Sequence, residues 1–503
     1  MARNTMETSS PLYAVIDLGS NSFHMLITRQ LADSVQVVDR IKRKVRLAAG
    51  LSADHILSEQ AMAKGLECLS FFAERLQDIP KENIRIVATA TLRLAKNRAD
   101  FISKAEQLLA HKVNLLSGIA EAKYIYLGVA HTNCSLDKRL VLDIGGASTE
   151  VIVGHDFTVK KAHSLNMGCV TFMQQHFRDG ELNADNFSAA IKAAEQAISV
   201  IKEDFSAIGW HCVLGGSGTM QAIAEVLNHQ KKPPIICLAL LYQLQAQILT
   251  FSHVDSINIP GLASERSPVI ASGLAILIAL FQQFGIEKLS LSSGALREGL
   301  LYEMLPNSRK VNIRQRTIRA IAERFHVDQS HADSIKQQVL LIFNQLQAHW
   351  QLPNDNTLAI LLASCDLHEI GLLLEYKYHQ QHSAYILGHA DLPGFNLSDR
   401  QLLIAFVSHY KGDLKPTSLT KQSAVAADLA LKFLIIMRLA VILCRRRKDD
   451  KLPRYQLVAK GDTLQLSLSA LWLKQHALIH DELKQEHRHI ARLGFALNIT
   501  CEQ

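Results

Sequence analysis

The chain has 503 residues and a mass of 55.9 kDa, and at about 150 residues per domain it calls for roughly three to four domains rather than one core. Apolar residues make up 48% and charged residues 20%, which excludes a largely disordered, collagen-like or coiled-coil chain. Fifty-four Lys and Arg against 47 Asp and Glu leave +7, a mild excess that suits an anionic small ligand better than a nucleic-acid sleeve.

Met1 to Ser10 is polar and has no apolar h-region, so no signal peptide is expected. Leu12 to Ile16 and Phe23 to Ile27 read as strands joined by the turn Asp17-Leu18-Gly19-Ser20-Asn21-Ser22. Val35 to Leu47 reads as a third strand carrying the basic cluster Lys42, Arg43, Lys44 and Arg46. A helix follows, N-capped by Ser58 and running to about Asp78. Then come a buried strand at Ile84 to Ala88, a helix at Ala99 to Ala110 and a strand at Val113 to Leu116, an alternation that marks an α/β domain.

The pattern then restarts. Leu140 to Ser148 echoes Val15 to Ser20: an apolar strand ends in Asp-apolar-Gly, small hydroxyl residues follow, and a second strand returns. The two aspartates, Asp17 and Asp143, lie 126 residues apart. This predicts two related α/β domains with a cleft between them. A third glycine turn, Leu214 to Thr219, follows a strand at His211 to Leu214, and a fourth, Leu291 to Gly299, leads into a helix.

From about Pro306 the chain turns helical, with helices expected at Arg314 to Phe325, Gln329 to Trp350, Leu358 to Tyr376 and Ala424 to Cys444. Tyr455 to Ala459 and Thr463 to Leu468 flank Lys460-Gly461-Asp462, a hairpin signal, and a helix and a strand at Phe495 to Thr500 close the chain. The expected domains are 11–133, 134–305, 306–446 and 447–503. The eight cysteines, Cys134 and Cys501 among them, are scattered without a CxxC pair, which points to reduced thiols in the cytoplasm and away from a zinc ribbon. The longest uncharged apolar run, Val269 to Phe281, has 13 residues, too few to span a bilayer. Ala427 to Cys444 is interrupted by Lys432 and Arg438 and reads as a buried helix, so no membrane role is expected.

Glycine turns after strands gather backbone N–H groups into anion nests, and neighbouring hydroxyls add donors. One such turn is as readily a plain tight turn. Two matched copies and the third turn point to phosphate binding by Gly19, Ser20, Asn21 and Ser22, by Gly145, Gly146 and Ser148, and by Gly215, Ser217, Gly218 and Thr219. Asp17 and Asp143 at the strand ends suit a hydrated Mg²⁺, with Glu150 on the returning strand as a further ligand. The alternative is that a carboxylate merely accepts loop N–H bonds. Arg297, beside Gly294 and Gly299, offers a planar fork for phosphate or a surface salt bridge.

Long motifs now accumulate: Ala14 to Met25, Ser117-Gly118-Ile119-Ala120-Glu121-Ala122, Asp143 to Glu150, His382 to Ile386 and Asp391-Leu392-Pro393-Gly394-Phe395. On these the chain resembles the exopolyphosphatase / guanosine pentaphosphate phosphatase family over nearly its whole length. Ile41 to Gly50, Val87 to Arg93 and the Gly-Gly-Ala-Ser form of the second loop look more like the guanosine pentaphosphate phosphatase branch. The resemblance implies duplicated actin-like (ribonuclease H-like) ATPase domains with a cleft between them, then an all-α HD-like domain and a small α+β C-terminal domain. It implies hydrolysis of the terminal 5′-phosphate of guanosine pentaphosphate to the tetraphosphate in the stringent response. The rival within the family is an exopolyphosphatase that trims long polyphosphate.

The resemblance also implies that Glu121 activates water and that Arg93 contacts phosphate, with Mg²⁺ as cofactor and a cytoplasmic homodimer that binds neither DNA nor membrane. Read from residues alone, Glu121 is equally a favourable charge at a helix N-terminus. Family members commonly carry Glu-Glu where this chain has Ala120-Glu121, and the retained glutamate is the one that aligns. His368-Glu369, expected mid-helix, with His379, His382 and His389, resembles a degenerate HD pair in which Glu replaces Asp; this suggests ancestry rather than a second working metal centre. Arg445 to Lys448 reads as a solvated turn or as the lining of a polyanion channel. Two other classes compete with these: a sugar or acetate kinase, for which no alcohol-activating motif is present, and a nucleotide-sensing module without turnover.

Overall fold

A computed structural model describes residues 11–31, 34–133, 138–233, 235–305, 312–414, 416–447 and 452–502. Met1 to Ser10, Cys134, Pro306 and Lys448 lie outside the described residues. The chain divides into two units, Met1–Ile313 and Arg314–Gln503.

The first unit is built from two sheets. One contains β1 (Leu12–Leu18), β2 (Ser22–Leu31), β3 (Ser34–Lys44), β4 (Ile84–Ala88) and β5 (Asn114–Leu115), in the order β3-β2-β1-β4-β5. The other contains β6 (Arg139–Ile144), β7 (Thr149–His155), β8 (Thr158–Leu165), β9 (Cys212–Gly215) and β10 (Ser290–Leu291), in the order β10-β9-β6-β7-β8. Each sheet is an antiparallel meander of three strands followed by two parallel additions, so the second repeats the first. The repeat extends to an irregularity in pairing. The β2–β3 ladder shifts register at Ile27/Thr28 and the β7–β8 ladder at Val153/Gly154, in each case ten residues past the aspartate (27 − 17 = 153 − 143).

β1 and β6 are nearly fully buried, as central strands covered on both sides must be; their polar members are Asp17 and Asp143 near the ends and Arg139 at the start of β6. Each sheet has its own outer hydrophobic cluster. A third cluster joins them, in which Val15, Val87, Val141 and Ile152 of the two sheets meet residues of the helices Gly118–Thr132 and Leu296–Met304. Those two helices touch backbone to backbone: a Cβ on Gly299 would overlap the Tyr124 carbonyl, and one on Gly128 the Ala295 carbonyl. Only glycine permits that approach.

The apolar run at Val269 to Phe281 belongs to a longer helix, Ser267–Phe284. Its 18 residues are enough by length and composition to cross a bilayer, but 72% of them are buried inside the protein, as are 67% of the similar stretch Asn356–Leu373.

The second unit has helices Gln329–Trp350, Asn356–Leu367, His379–His389, Leu397–His409 and Ala427–Leu443, then a three-stranded sheet. In that sheet β11 (Gln456–Lys460) pairs antiparallel with β12 (Thr463–Ser469), and β12 pairs parallel with β13 (Ala496–Glu502) across the helix Ala477–Ala491. Helices and sheet share one hydrophobic core, from Ile321 to Leu497. Within it Arg438 makes a bidentate pair with Glu486, at 2.6 and 2.7 Å, and donates to the carbonyls of His409 and Gly412.

The helix expected over Leu358 to Tyr376 stops at Leu367, and a 3₁₀ turn occupies Ile370–Leu373. His368 and Glu369 therefore sit at a break, not mid-helix. The cause is Ser383 of the following helix: its hydroxyl accepts from the Gly371 N–H (2.8 Å) and donates to the His368 carbonyl (3.0 Å), replacing the helical ladder. A Cβ on Gly371 would overlap the His379 carbonyl, which fixes glycine at the crossing.

Candidate active site

The loops after β1 and β6 face each other. Gly145 N–H donates to the Ser148 carbonyl (2.8 Å), closing the second loop. A Cβ on Gly146 would stand 2.7 Å from the Ser20 Cβ, so the second loop lies against the first. Between them opens a cavity of about 420 Å³. Asp17, Gly19, Ser20, Asn21 and Ser22 line it from one half, and Asp143, Gly145, Gly146, Ser148 and Glu150 from the other. Ser217 and Gly218 of the third turn, Glu121 and Arg297 complete the set of expected residues that reach it.

Three expected residues do not. Gly215 is the last residue of β9, and Thr219, 3% exposed, turns into the domain interior, where its side chain packs on Gly273 and bonds the Cys169 thiol. Ser217 caps the helix Gly218–His229 by accepting from Met220 N–H, and that cap aims the next-but-one side chain inward. Arg93 also stays off the cavity wall. Its Nη1 donates to Glu121 Oε2 (2.9 Å) and to the Leu116 carbonyl (3.0 Å), so its partner is the glutamate itself.

Four carboxylates converge here from four segments. Asp143 and Glu150 are direct cross-strand partners on β6 and β7. Glu121 lies in the first turn of the helix Gly118–Thr132, whose start Ser117 caps by accepting from Ala120 N–H (3.2 Å). Burial, then repulsion from Glu150, holds Glu121 well above the usual carboxylate range against the pull of Arg93. Burial raises Asp17 to about 6. Burial, then the charges of Glu121 and Asp17, raises Asp143 to about 7. Burial and Asp143 raise Glu150 to about 7, although Ser148 and Ser164 hydroxyls bond it, the latter at 2.7 Å.

Buried Asp17 Oδ1 has no hydrogen-bond partner. Buried, mutually repelling oxygen donors, one of them without a partner, are what a hard divalent cation relieves, so Asp17, Asp143 and Glu150 fit Mg²⁺ chemically. They do not form a tight direct cage. Among the described residues, the His/Cys/Asp/Glu group whose ligand atoms all lie within 4.8 Å of one another is His331, His368 and Glu369 in the other unit. The wider spacing of the carboxylates suits an ion that keeps part of its water shell.

Four cations also line the cavity: Arg40, Lys42, Arg266 and Arg297. Arg297 Nη1 donates to His24 Nδ1 (3.1 Å), and burial, with Arg297, Lys42 and Arg266 nearby, depresses His24 to about 3, so the ring stays neutral and accepts. Burial and Arg266 likewise lower Lys42.

A fold of two matched sheets with facing glycine loops now has a sequence counterpart. The model of the Ppx/GppA phosphatase family matches residues 26–308, and that of Ppx/GppA phosphatase domain III matches residues 313–487. The chain belongs to the Ppx/GppA phosphatase family. A guanosine-5′-triphosphate,3′-diphosphate pyrophosphatase of Pseudoalteromonas translucida is 47% identical over 97% of this chain and 98% of that protein. The protein of the same name from Vibrio cholerae is 45% identical over 98% of this chain and 99% of its own length. Among solved structures, an exopolyphosphatase from Cytophaga hutchinsonii superposes with a TM-score of 0.55 at 21% identity, over 60% of this chain and 99% of that one. The Ppx/GppA enzyme of Aquifex aeolicus gives 0.50 at 22% identity, over 58% and 99%.

The cavity is also lined by residues outside the expected set, among them His24, Arg40, Thr89, Gln221, Arg266 and Cys169. His24 was within reach: it pairs across from Asp17 as Glu150 pairs across from Asp143, at the same offset of 126 residues. Arg40 and Lys42 share one face of β3 by simple alternation, while Arg43 on the other face stacks on Phe71 at 5.3 Å. Arg266 precedes the helix Ser267–Phe284 in a segment with no motif, and nothing in the sequence marked it.

Proposed function

We propose that this protein hydrolyses the terminal 5′-phosphate of guanosine pentaphosphate, releasing phosphate and guanosine tetraphosphate. The observation that carries the reading is a single carboxylate, Glu121, buried in a phosphate-type cavity, lifted in basicity by its surroundings and held in orientation by Arg93. The names of relatives at 43–47% identity over nearly the full length support the choice of substrate.

The terminal phosphate sits between the loops at Gly19 to Ser22 and Gly145 to Ser148, where backbone N–H groups and hydroxyls meet its oxygens. Arg297, kept in place by neutral His24, adds a fixed positive charge beside it. A water enters in line with the bridging P–O bond, and Glu121 accepts its proton as the new P–O bond forms. The bridging bond breaks toward the nucleotide, whose terminal oxygen leaves with the electron pair. Arg93 keeps Glu121 from swinging into solvent and favours its ionised form. Asp17, Asp143 and Glu150 would hold Mg²⁺, which when bound would neutralise phosphate charge. The basic row of Arg40, Lys42 and Arg266 is the place for the remaining phosphates.

The same proposal takes the first unit as a duplicated actin-like pair, 11–133 and 134–305, followed by an HD-like helical domain at 306–446 and a small α+β domain at 447–503, and the active species as a cytoplasmic homodimer. Phosphate release with Mg²⁺, measured side by side on guanosine pentaphosphate and on long-chain polyphosphate, tests the substrate. A large preference for polyphosphate assigns the cavity to the exopolyphosphatase reaction instead. E121Q tests the chemistry: kcat is expected to fall by about two to four orders of magnitude with nucleotide binding retained. Unchanged turnover sinks the mechanism.

A further inference from the structure

The second unit holds a polar cluster that the phosphate reaction does not use. His331 lies near the start of the helix Gln329–Trp350, which Asp328 fixes by accepting from the His331 N–H (3.1 Å). His368 and Glu369 lie in the break after Asn356–Leu367. His368 is 1% exposed, and its Nδ1–H donates to the Cys365 carbonyl (2.8 Å). That bond sets the tautomer and leaves Nε2 as a lone pair. This Nε2 is buried, has no partner, and stands 4.0 Å from Glu369 Oε1. His331 is 6% exposed, and its Nδ1 is also buried without a partner. The ligand atoms of the three residues all lie within 4.8 Å of one another.

Two unpartnered imidazole nitrogens and a carboxylate facing one point need an explanation, because buried polar atoms are rarely left unmet. We propose that His331, His368 and Glu369 bind one divalent transition-metal ion of the zinc type, with a fourth coordination position open. Two nitrogens and one carboxylate suit zinc or its first-row neighbours and not Mg²⁺, which takes oxygen donors. The Cys365 carbonyl behind His368 is the outer-shell acceptor that metal-bound histidines characteristically have. Glu in place of Asp is no obstacle, since the longer side chain delivers its carboxylate to the histidines.

Arg447 is the competitor. Its Nη2 pairs with Glu369 Oε1, its Nη1 lies 3.7 Å from Asp328, and its side chain is 41% exposed. The guanidinium holds the carboxylate when no ion is bound and is free to swing into solvent when one is.

The test uses the full-length protein, stripped with a chelator and held in saturating Mg²⁺ so that the phosphate cavity does not report. Zn²⁺ is titrated by calorimetry and Co²⁺ by its visible absorption. One ion per chain is expected, with E369Q and H331Q weakening binding by about tenfold or more each. R447Q, a change on a half-exposed side chain that leaves the core intact, is expected to tighten binding severalfold. No saturable Zn²⁺ binding, or binding that neither E369Q nor R447Q moves, overturns the site and assigns the ion to other histidines.

Discussion

Burial of the carboxylate cluster has a consequence for the pH dependence of stability. Asp143 is raised from an ordinary 3.8 to about 7 by burial and by the charges of Glu121 and Asp17. A carboxylate whose folded pKa is raised stays protonated longer when folded than when unfolded. The folded state therefore binds more protons between these values, and stability falls as pH rises from about 4 to about 7. Below that window both states are protonated and no cost exists; above it the cost is complete. At pH 8 it amounts to about 4 kcal/mol for Asp143, and at pH 5 to less than half of that. Asn at this position keeps the shape and cannot ionise. D143N is thus expected to be more stable than wild type by about 2–4 kcal/mol at pH 8 in chelator, the lower figure applying where Glu121 and Asp17 relax once their neighbour is gone. The gain should shrink at pH 5.

Trp210, packed on Phe284 at 5.7 Å, is the reporter, in a background with Trp350 and Trp472 replaced by Phe so that only the first unit is read. Urea unfolding at the two pH values gives the difference directly. Adding Mg²⁺ at about a hundred times its Kd should restore about 2.7 kcal/mol to wild type and little to D143N. Phosphate release by D143N should fall by about two orders of magnitude or more. A variant less stable than wild type at pH 8 in chelator refutes the reasoning, because the charge of Asp143 would then be stabilised by the fold rather than tolerated for the sake of a cation.

Three further outcomes follow from contacts elsewhere. Arg93 opposes the upward shift of Glu121, so R93M should move the acidic limb of the kcat–pH profile to higher pH; an unmoved limb separates Arg93 from the base. G128A forces a methyl group onto the Ala295 carbonyl and should cost about 1–3 kcal/mol or more in denaturant unfolding of the first unit, with a wild-type result refuting the close crossing. E486A leaves Arg438 charged and buried and should cost about 3–5 kcal/mol, while the paired change R438M/E486L should be close to neutral; equal losses in both assign the effect to packing instead of charge.

What the sequence disclosed about the site depended on how local each feature was. Asp-apolar-Gly at Asp17 and Asp143 is a local signature of a strand and its turn, and its recurrence at 126 residues was enough to predict two matched halves. The same offset locates His24 opposite Asp17, because register in an antiparallel pair follows from the turn length. Arg93 shows the opposite case. The family resemblance implies a phosphate contact for Arg93, and in the structure its partner is a carboxylate 28 residues later, at a distance that only the packed Gly118–Thr132 helix defines. Thr219 was misplaced by one turn of geometry: once Ser217 caps the helix, the side chain two positions on points inward. The break at His368 is set by Ser383, 15 residues away, whose hydroxyl replaces two ladder bonds that the helical pattern alone predicts to form. Protonation is the least local property of all. Asp17, Glu121, Asp143 and Glu150 are ordinary acids in any window of sequence, and each is raised because the other segments bring charge and low dielectric to the same place. A cluster whose protonation depends on mutual repulsion exists only when both halves of the first unit are docked, and so the raised basicity of Glu121 is a product of the tertiary fold.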